Sequence, residues 1–437
     1  MLTNRLRTAA AEYERRRRTD LPFQDLAWSL YVFLLRLDAA ISSADADHVL
    51  FLSREGKPLK EMFDAHRKSS GARTSTEVQT HYFRVSRKST FLLSCGPLEG
   101  EQFANLFRQY RRISLADFLR SLSLDDAIDG IADNLRKSRD RLEETLDDLP
   151  TSPEFAALMK SERFAEAYAA ARTEGGSAFS RYLSDIFRRP LPRRLYVVDV
   201  GWKGTIQDNL FLWFERWAGG VDVIGHYFGL AAPGHVHPRN KKHGLLFSHL
   251  DRSTPSFPIF NENRSLFEIM LPADHGAPSR YTLDANGNYA IIYDEFVERQ
   301  LIEKIVSPVA QGVMSSVERI RDLHTEMGLT TTEVMALTLQ FHKRLVFRPT
   351  SAELDWIASI WHFENFGVFE QSRLMVKNDT NPLDRIRFTL DLLRHRRLTE
   401  EGFWPYLTIR RRAVPGAAFL YGRYRMWQAL LAGSFSG

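Results

Sequence analysis

Leu195-Tyr-Val-Val-Asp-Val200 runs directly into Gly201-Trp-Lys-Gly-Thr205, and an amphipathic pattern follows to about Trp217. An unbroken apolar run of this length predicts a strand buried on both faces, as in a parallel sheet. The glycine turn, the helical pattern and a further apolar run from Val221 to Gly229 complete a strand–turn–helix–strand unit. That order is the βαβ signature of a doubly wound sheet. The expected fold class is α/β, with a Rossmann-like, mostly parallel sheet, a helical insertion and a helical C-terminal region.

The same pattern recurs upstream. His48 to Ser53 is a short apolar run that passes into Arg54-Glu-Gly-Lys57, and Pro58 is expected to open a helix to about His66. Val78 to Val85 is another strand candidate and ends in Ser86-Arg87-Lys88-Ser89-Thr90. Residues 1–47 read as two helices. Asp20 and Pro22 mark the start of the second, where Leu26, Leu30, Phe33, Leu34 and Leu37 recur at helical spacing. The expected organisation is then a first part of the core (48–99), a polar, helix-like insertion or cap (100–190), a second part with the site loops (191–293) and a helical region (294–437). Residues 230–293 read as loop-rich with short strands, including a hairpin around Asn286-Gly287.

Composition narrows the function. The chain has 437 residues, 44% of them hydrophobic and 26% charged, enough to build a full core. The longest apolar stretch, Leu26 to Ile41, is interrupted by Arg36 and Asp38, and Arg5 and Arg7 have no apolar run behind them. Neither a membrane span nor a signal peptide is expected, and the expected location is cytoplasmic. The single cysteine, Cys95, excludes an intrachain disulfide and a Cys-based zinc site and reads as a core residue. A net charge of +5 does not demand nucleic acid. Arg15–Arg18, Arg410–Arg412 and the group Arg84, Arg87 and Lys88 are nevertheless concentrated. Such runs are solvated faces or phosphate contacts, on a substrate or a membrane surface.

The Asp199–Thr205 turn carries the strongest chemical signal. The strand delivers Asp199 to the carboxyl edge of the sheet, where open α/β folds place ligands. Gly201 and Gly204 let backbone amides approach an anion, and the helix from Thr205 adds unsatisfied N–H groups and a positive dipole end. Lys203 and the Thr205 hydroxyl complete a phosphate cradle; the alternative is a turn whose glycines only solve a packing problem. G-x-x-x-x-G-K-[ST] is absent, so no nucleotide cofactor is expected. Ser53-Arg-Glu-Gly-Lys57 occupies the equivalent place after its own strand, and Arg84, Ser86 and Arg87 leave the next. If the strands are adjacent, three loops converge on one anionic ligand, a diphosphate or phosphorylated sugar.

Glu268 puts a carboxylate in the apolar run Leu266-Phe-Glu-Ile-Met270. Buried, it has a raised pKa and serves as a general base; otherwise it faces solvent. His235, His237, His243 and His249, beside Lys241 and Lys242, read as a mobile basic lid rather than a metal site, since H-x-H in a Pro- and Gly-rich loop lacks rigid geometry.

The Ser53-Arg-Glu-Gly56 turn, Val85-Ser-Arg87, Asp199 to Gln207, and Phe267-Glu268 with Pro272-Ala-Asp-His-Gly276 together resemble a domain of bacterial surface-polysaccharide gene clusters. That domain often accompanies a haloacid-dehalogenase-type phosphatase. The resemblance covers roughly residues 48–370, and Asp199 to Gln207 is its most specific part. Some members look like phosphoribosyltransferases that make ribofuranosyl linkages. The resemblance implies transfer of 5-phosphoribose from phosphoribosyl diphosphate to a glycan of O-antigen or capsule assembly, with a partner phosphatase removing the 5-phosphate. Two adjacent acids before a T-G loop mark ordinary phosphoribosyltransferases; here Val198 and Asp199 occupy the pair and Lys203 precedes Gly204, as in a divergent relative.

The site this implies has Asp199, Glu268 and Glu55 as catalytic residues. Asp199 binds ribose hydroxyls or a Mg²⁺ on the diphosphate, and Glu55 or Glu268 takes the acceptor proton. Substrate binding falls to Ser53, Arg54, Gly56, Lys57, Arg84, Ser86, Arg87, Gly201, Trp202, Lys203, Gly204, Thr205, Gln207 and His275. The alternative functions are a non-catalytic phosphosugar-binding or scaffold module, or a divergent phosphatase, though no D-x-D-x-T/V motif follows either strong strand. From Trp404 to Trp427, arginines interleave with aromatic and aliphatic residues. This end is expected either on the inner face of the cytoplasmic membrane, beside a lipid-linked acceptor, or as a core helix.

Overall fold

A computed structural model describes residues 4–70, 78–107, 110–188, 190–251, 254–365, 369–373, 381–395 and 404–434. Five strands make one parallel sheet: β1 (His48–Leu52), β2 (Gln79–Phe83), β3 (Arg194–Asp199), β4 (Asp222–Leu230) and β5 (Asn240–Ser248). Their order is β2-β1-β3-β4-β5. In register, Phe51 lies beside Tyr82 on one side and Val198 on the other. This is the flavodoxin-like doubly wound order, and the expected α/β class is the observed one.

Strand alternation divides the apolar residues between two layers. Val49, Phe51, Tyr196, Val198 and Phe228 face a core built on the helix Leu26–Ser43 and the helices Ser307–Glu326 and Thr331–Phe347. Phe33 and Phe228 stack there with centroids 3.8 Å apart. The helix Leu26–Ser43 is long and apolar enough to cross a bilayer, yet it lies inside this core. Leu50, Leu52, Leu195, Val197 and Val223 face the other way, toward the helices Glu162–Phe187 and Thr205–Trp217. Between β2 and β3, a series of short helices closes around its own core, with Phe103, Phe118, Leu119, Ile131 and Phe164 buried together.

Three boundaries differ from expectation. The second helix begins at Leu26, not near Asp20, and Asp25 does not cap it. The Asp25 side chain is buried and instead accepts hydrogen bonds from Tyr13 Oη (3.0 Å) and Arg344 Nε (2.6 Å), tying the N-terminal helices to the C-terminal region. The first crossover helix begins at Gly56 rather than at Pro58. Residues 240–248, expected in a loop, form β5. The connection from β4, residues 231–239, contains no helix, so the first half of β5 lies at an uncovered edge and Lys241 and His243 are exposed. An edge strand of that kind lacks the apolar run that announces a central one. The expected hairpin is present as β6 (Pro278–Leu283) and β7 (Tyr289–Tyr293). A second antiparallel pair, Trp361–Asn365 with Phe369–Arg373, interrupts the C-terminal helices.

Candidate functional site

Because β1, β2 and β3 are parallel, the loops that follow them leave the same edge of the sheet. The chain moves from β1 outward to β2, then returns past β1 to β3 and continues the other way. The carboxyl ends of β1 and β3 therefore flank the switch point, the crevice where such sheets bind ligands. Non-proline cis peptides stand at both ends, Ser53–Arg54 and Gly201–Trp202.

Three carboxyl groups gather at this crevice: Glu55 after β1, Asp199 at the end of β3, and Glu268 on the short helix Ser265–Ile269. Asp199 is buried, and its Oδ1 accepts from the Val200 amide at 2.7 Å. Burial pushes its carboxyl well above the ordinary range; repulsion from Glu55 and Glu268 adds to this, while the Val200 amide and Arg87 oppose it. Glu268 Oε1 accepts from Trp202 Nε1 at 2.8 Å. Burial, then repulsion from Glu55, pushes Glu268 up to about 7, against the pull of Arg87 and Arg264. Trp202 lies beside Phe247 and Phe267, and the Arg264 guanidinium sits 5.9 Å from its ring centroid.

The neighbouring residues form a supporting frame. Ser53 Oγ donates to Val85 O (2.6 Å) and accepts from Val85 N (3.1 Å), locking the ends of β1 and β2 together. Ser86 caps the helix Arg87–Ser94 in a reciprocal box with Ser89, and its hydroxyl donates to Pro278 O at 2.6 Å. Both serine hydroxyls are engaged by the backbone. Arg54 faces Glu298 (3.4 Å) and Lys57 faces Asp274 (2.6 Å), so part of the expected cationic clamp is already paired. Arg84 is exposed. His275 Nδ1 donates to Gly276 O at 2.7 Å, which leaves Nε2 to accept from Tyr82 Oη at 2.7 Å. Gly56 is required by packing: a Cβ there would lie 2.6 Å from the Phe51 carbonyl carbon.

The glycine turn is built as expected, but its charges are arranged differently. Gly201 has φ +140°, and a Cβ there would lie 2.3 Å from Gly229 O. Gly204 is left-handed and sits at the N-terminus of the helix from Thr205, which is half-buried. Lys203 is exposed. The cation against Gly204 is instead Lys242, whose ammonium pairs with the buried Asp208 in the helix's first turn. Asp208 also accepts from Asn240 Nδ2 (2.7 Å) and the His235 amide (2.8 Å). Gln207, expected against the substrate, is fully buried. Its Nε2 lies 2.7, 2.9 and 3.2 Å from Asn240 Oδ1, Lys241 O and Val223 O, acceptors enough for both of its hydrogens, and its Oε1 accepts from Tyr227 Oη, clamping the helix to β4 and β5.

The histidine-rich segment, expected as a mobile basic lid, is partly built into the sheet. His243 belongs to β5, and His235 and His237 pack on Phe211, with centroids 5.9 and 4.8 Å away. Among the described residues, no three His, Cys, Asp or Glu side chains are arranged to hold a metal ion. Cys95 is buried, as expected.

Arg264 and Tyr82 were not singled out in the sequence. Arg264 stands four residues before Glu268, a same-face helical spacing that links the two. The cleft lined by Arg54, Glu55, Glu268, Glu298 and the π-helical segment Ile302–Val306 holds only about 50 Å³. Larger cavities of about 330 and 610 Å³ lie around Tyr31 and His66 and around Tyr196 and His226, away from the carboxyl groups.

The fold and this crevice define a doubly wound α/β protein with a carboxyl cluster at its switch point. No protein-family model matches the chain, and no curated protein shows significant similarity to it.

Proposed function

We propose that this crevice is the active site of a glycosyltransferase of bacterial surface-polysaccharide assembly, transferring 5-phosphoribosyl from phosphoribosyl diphosphate to a glycan hydroxyl. The observation that carries this reading is the carboxyl cluster: Asp199 and Glu268, both with raised pKa values, share the field of Glu55 and Arg87 at the switch point. Glu268, near 7, is matched to taking a proton at neutral pH. In the transfer, the acceptor oxygen bonds to the anomeric carbon and the bond from that carbon to the diphosphate oxygen breaks. Diphosphate leaves with the electron pair, and the acceptor proton passes to Glu268. Arg87 and Arg264 supply the positive field that a leaving anion needs. Asp199, whose burial favours the protonated form, donates a hydrogen bond to a ribose hydroxyl or a phosphoryl oxygen. No step runs through Mg²⁺.

The reading is tested by titrating the full chain with phosphoribosyl diphosphate and ribose 5-phosphate in a calorimeter and by following diphosphate release. Tighter binding of the diphosphate, with release that is lost in Glu268→Gln and in Asp199→Ala, supports transfer. Binding without release under any acceptor mixture supports the phosphosugar-binding module instead, and absence of binding rejects both.

A further inference from the structure

We propose that the two C-terminal helices Pro382–His395 and Ala417–Ser434 form a docking face for an anionic lipid surface. On Ala417–Ser434, the residues Ala418, Tyr421, Gly422 and Arg425 are turned inward. Tyr421 Oη and Arg425 Nε both donate to the buried Glu262 Oε2, at 2.9 and 3.0 Å, and Arg425 Nη2 donates to Pro258 O at 2.8 Å. Part of the segment expected at a membrane is thus a core element. The opposite side of the same helix is not: Phe419, Leu420, Tyr424 and Trp427 are 67, 68, 43 and 56% exposed.

The helix Pro382–His395 repeats the arrangement. Phe388 and Leu392 pack inward, while Leu383, Ile386, Leu390 and Leu393 are 47–73% exposed. These four recur at spacings of three, four and three residues, one stripe along a helix. The two helices belong to one body through the helix Pro405–Arg412: Arg412 lies 4.2 Å from the Phe388 ring centroid, and the Val414 amide donates to Thr389 Oγ1 at 3.1 Å. Single exposed apolar residues are ordinary, but two periodic stripes mark an interaction surface.

Charge selects the partner. Residues 404–434 contain Arg410, Arg411, Arg412, Arg423 and Arg425 and no Asp or Glu. Arg410 and Arg423 are exposed, and Arg423 adjoins Tyr424 in the stripe. Pro382–His395 adds exposed Asp384 and Asp391 beside exposed Arg387 and Arg394, so the basic excess lies on residues 404–434, and an isologous contact with a second copy would set that acid-free stretch against itself. An anionic bilayer complements it, with the aromatic rings at the headgroup boundary and the arginines among the phosphates. The inference does not depend on the chemistry of the crevice.

The test is co-sedimentation of the full chain with phosphatidylcholine vesicles, with and without phosphatidylglycerol. Binding is expected only to the anionic vesicles and is expected to weaken as salt rises. Arg410→Gln with Arg423→Gln should lower the partition coefficient roughly thirtyfold, and Leu420→Ser with Trp427→Ser should lower it further. Both arginines are exposed, so the first pair tests the idea even if the second fails to fold. Equal partitioning of wild type and the arginine variant, or binding indifferent to lipid charge, overturns the proposal. So does a concentration-dependent dimer in analytical ultracentrifugation that the arginine variant leaves intact and vesicles do not displace.

Discussion

Replacing Glu268 with Gln should stabilise the protein in alkaline solution while leaving it unchanged in acid. In the folded state burial and Glu55 raise the Glu268 carboxyl from its ordinary 4.5 to about 7. Below pH 4.5 the folded and unfolded chains both hold the proton, and the protein has its full stability. Between 4.5 and 7 the unfolded chain has released the proton and the folded chain has not, so stability falls as pH rises through this window. At 1.36 kcal/mol per pH unit the loss is roughly 3 kcal/mol, and residual solvent contact at Glu268 reduces the expected figure to about 2 kcal/mol.

Gln mimics the protonated acid at every pH and keeps an oxygen to accept from Trp202 Nε1. The two proteins should therefore unfold at the same urea midpoint at pH 4.5, and the variant should be about 2 kcal/mol more stable at pH 8.5. Asp199 is shifted in the same direction, but it is present in both proteins and largely cancels. A variant less stable than wild type at pH 8.5, or a difference that does not change between the two pH values, would refute the raised carboxyl and with it the base assigned to Glu268.

Glu55→Gln removes the second-largest cause of the Glu268 shift, so the pH at which wild-type stability declines should move below 7, read from urea midpoints across pH 5–8. Gly204→Ala should cost more than about 1 kcal/mol, since the residue is left-handed and a Cβ would lie 2.6 Å from Lys242 Cε and 2.9 Å from Tyr227 Oη; a melting temperature equal to wild type would contradict this. Arg425→Ala leaves Glu262 buried without its cation and should cost about 3–5 kcal/mol at pH 8. Glu262 is already raised to about 7, so that cost should shrink in acid as the carboxyl takes up a proton; thermal melts at pH 5 and 8 measure the difference. Phosphoribosyl diphosphate is larger than the 50 Å³ cleft, so its binding should change hydrogen exchange across residues 298–306.

The parts of the fold that were legible in the sequence are those whose environment is uniform. β1 and β3 are buried along nearly their whole lengths, and a strand in that position must be apolar throughout. β5 lies at the edge with half its length uncovered, so its sequence mixes Lys241 and His243 with Leu246 and Phe247, and no periodic signal survives. The same contrast applies to the site. Asp199 is placed by its strand, and the β1 and β2 loops are placed by parallel pairing, so their convergence follows from local patterns. Which cation lies against Gly204 does not. Lys203 is adjacent in sequence, but Lys242 reaches the turn from β5, and Asp208 holds it there. Gln207 belongs to the most specific stretch of the resemblance, yet its full set of hydrogen bonds shows that a distinctive residue can serve the scaffold.

The three carboxyl groups at the crevice have different tasks because they have different surroundings. Charges of one sign gathered in a poorly solvated cleft resist full ionisation, and the protons settle where burial is greatest. Asp199 is the most enclosed, and burial favours its protonated form, which can donate a hydrogen bond. Glu55 is only half-buried, and after burial itself its repulsion is the next cause that raises the other two. Glu268 lies between these extremes, with its proton bound or released near pH 7, the condition for a base that must accept a proton and later return it. If the proposed transfer occurs here, its rate should therefore rise with pH through about 7 in wild type. Glu55→Gln should move that rise to lower pH without abolishing it, whereas Glu268→Gln should remove it. A rise that stays in place in Glu55→Gln would mean that the titrating group lies outside this cluster.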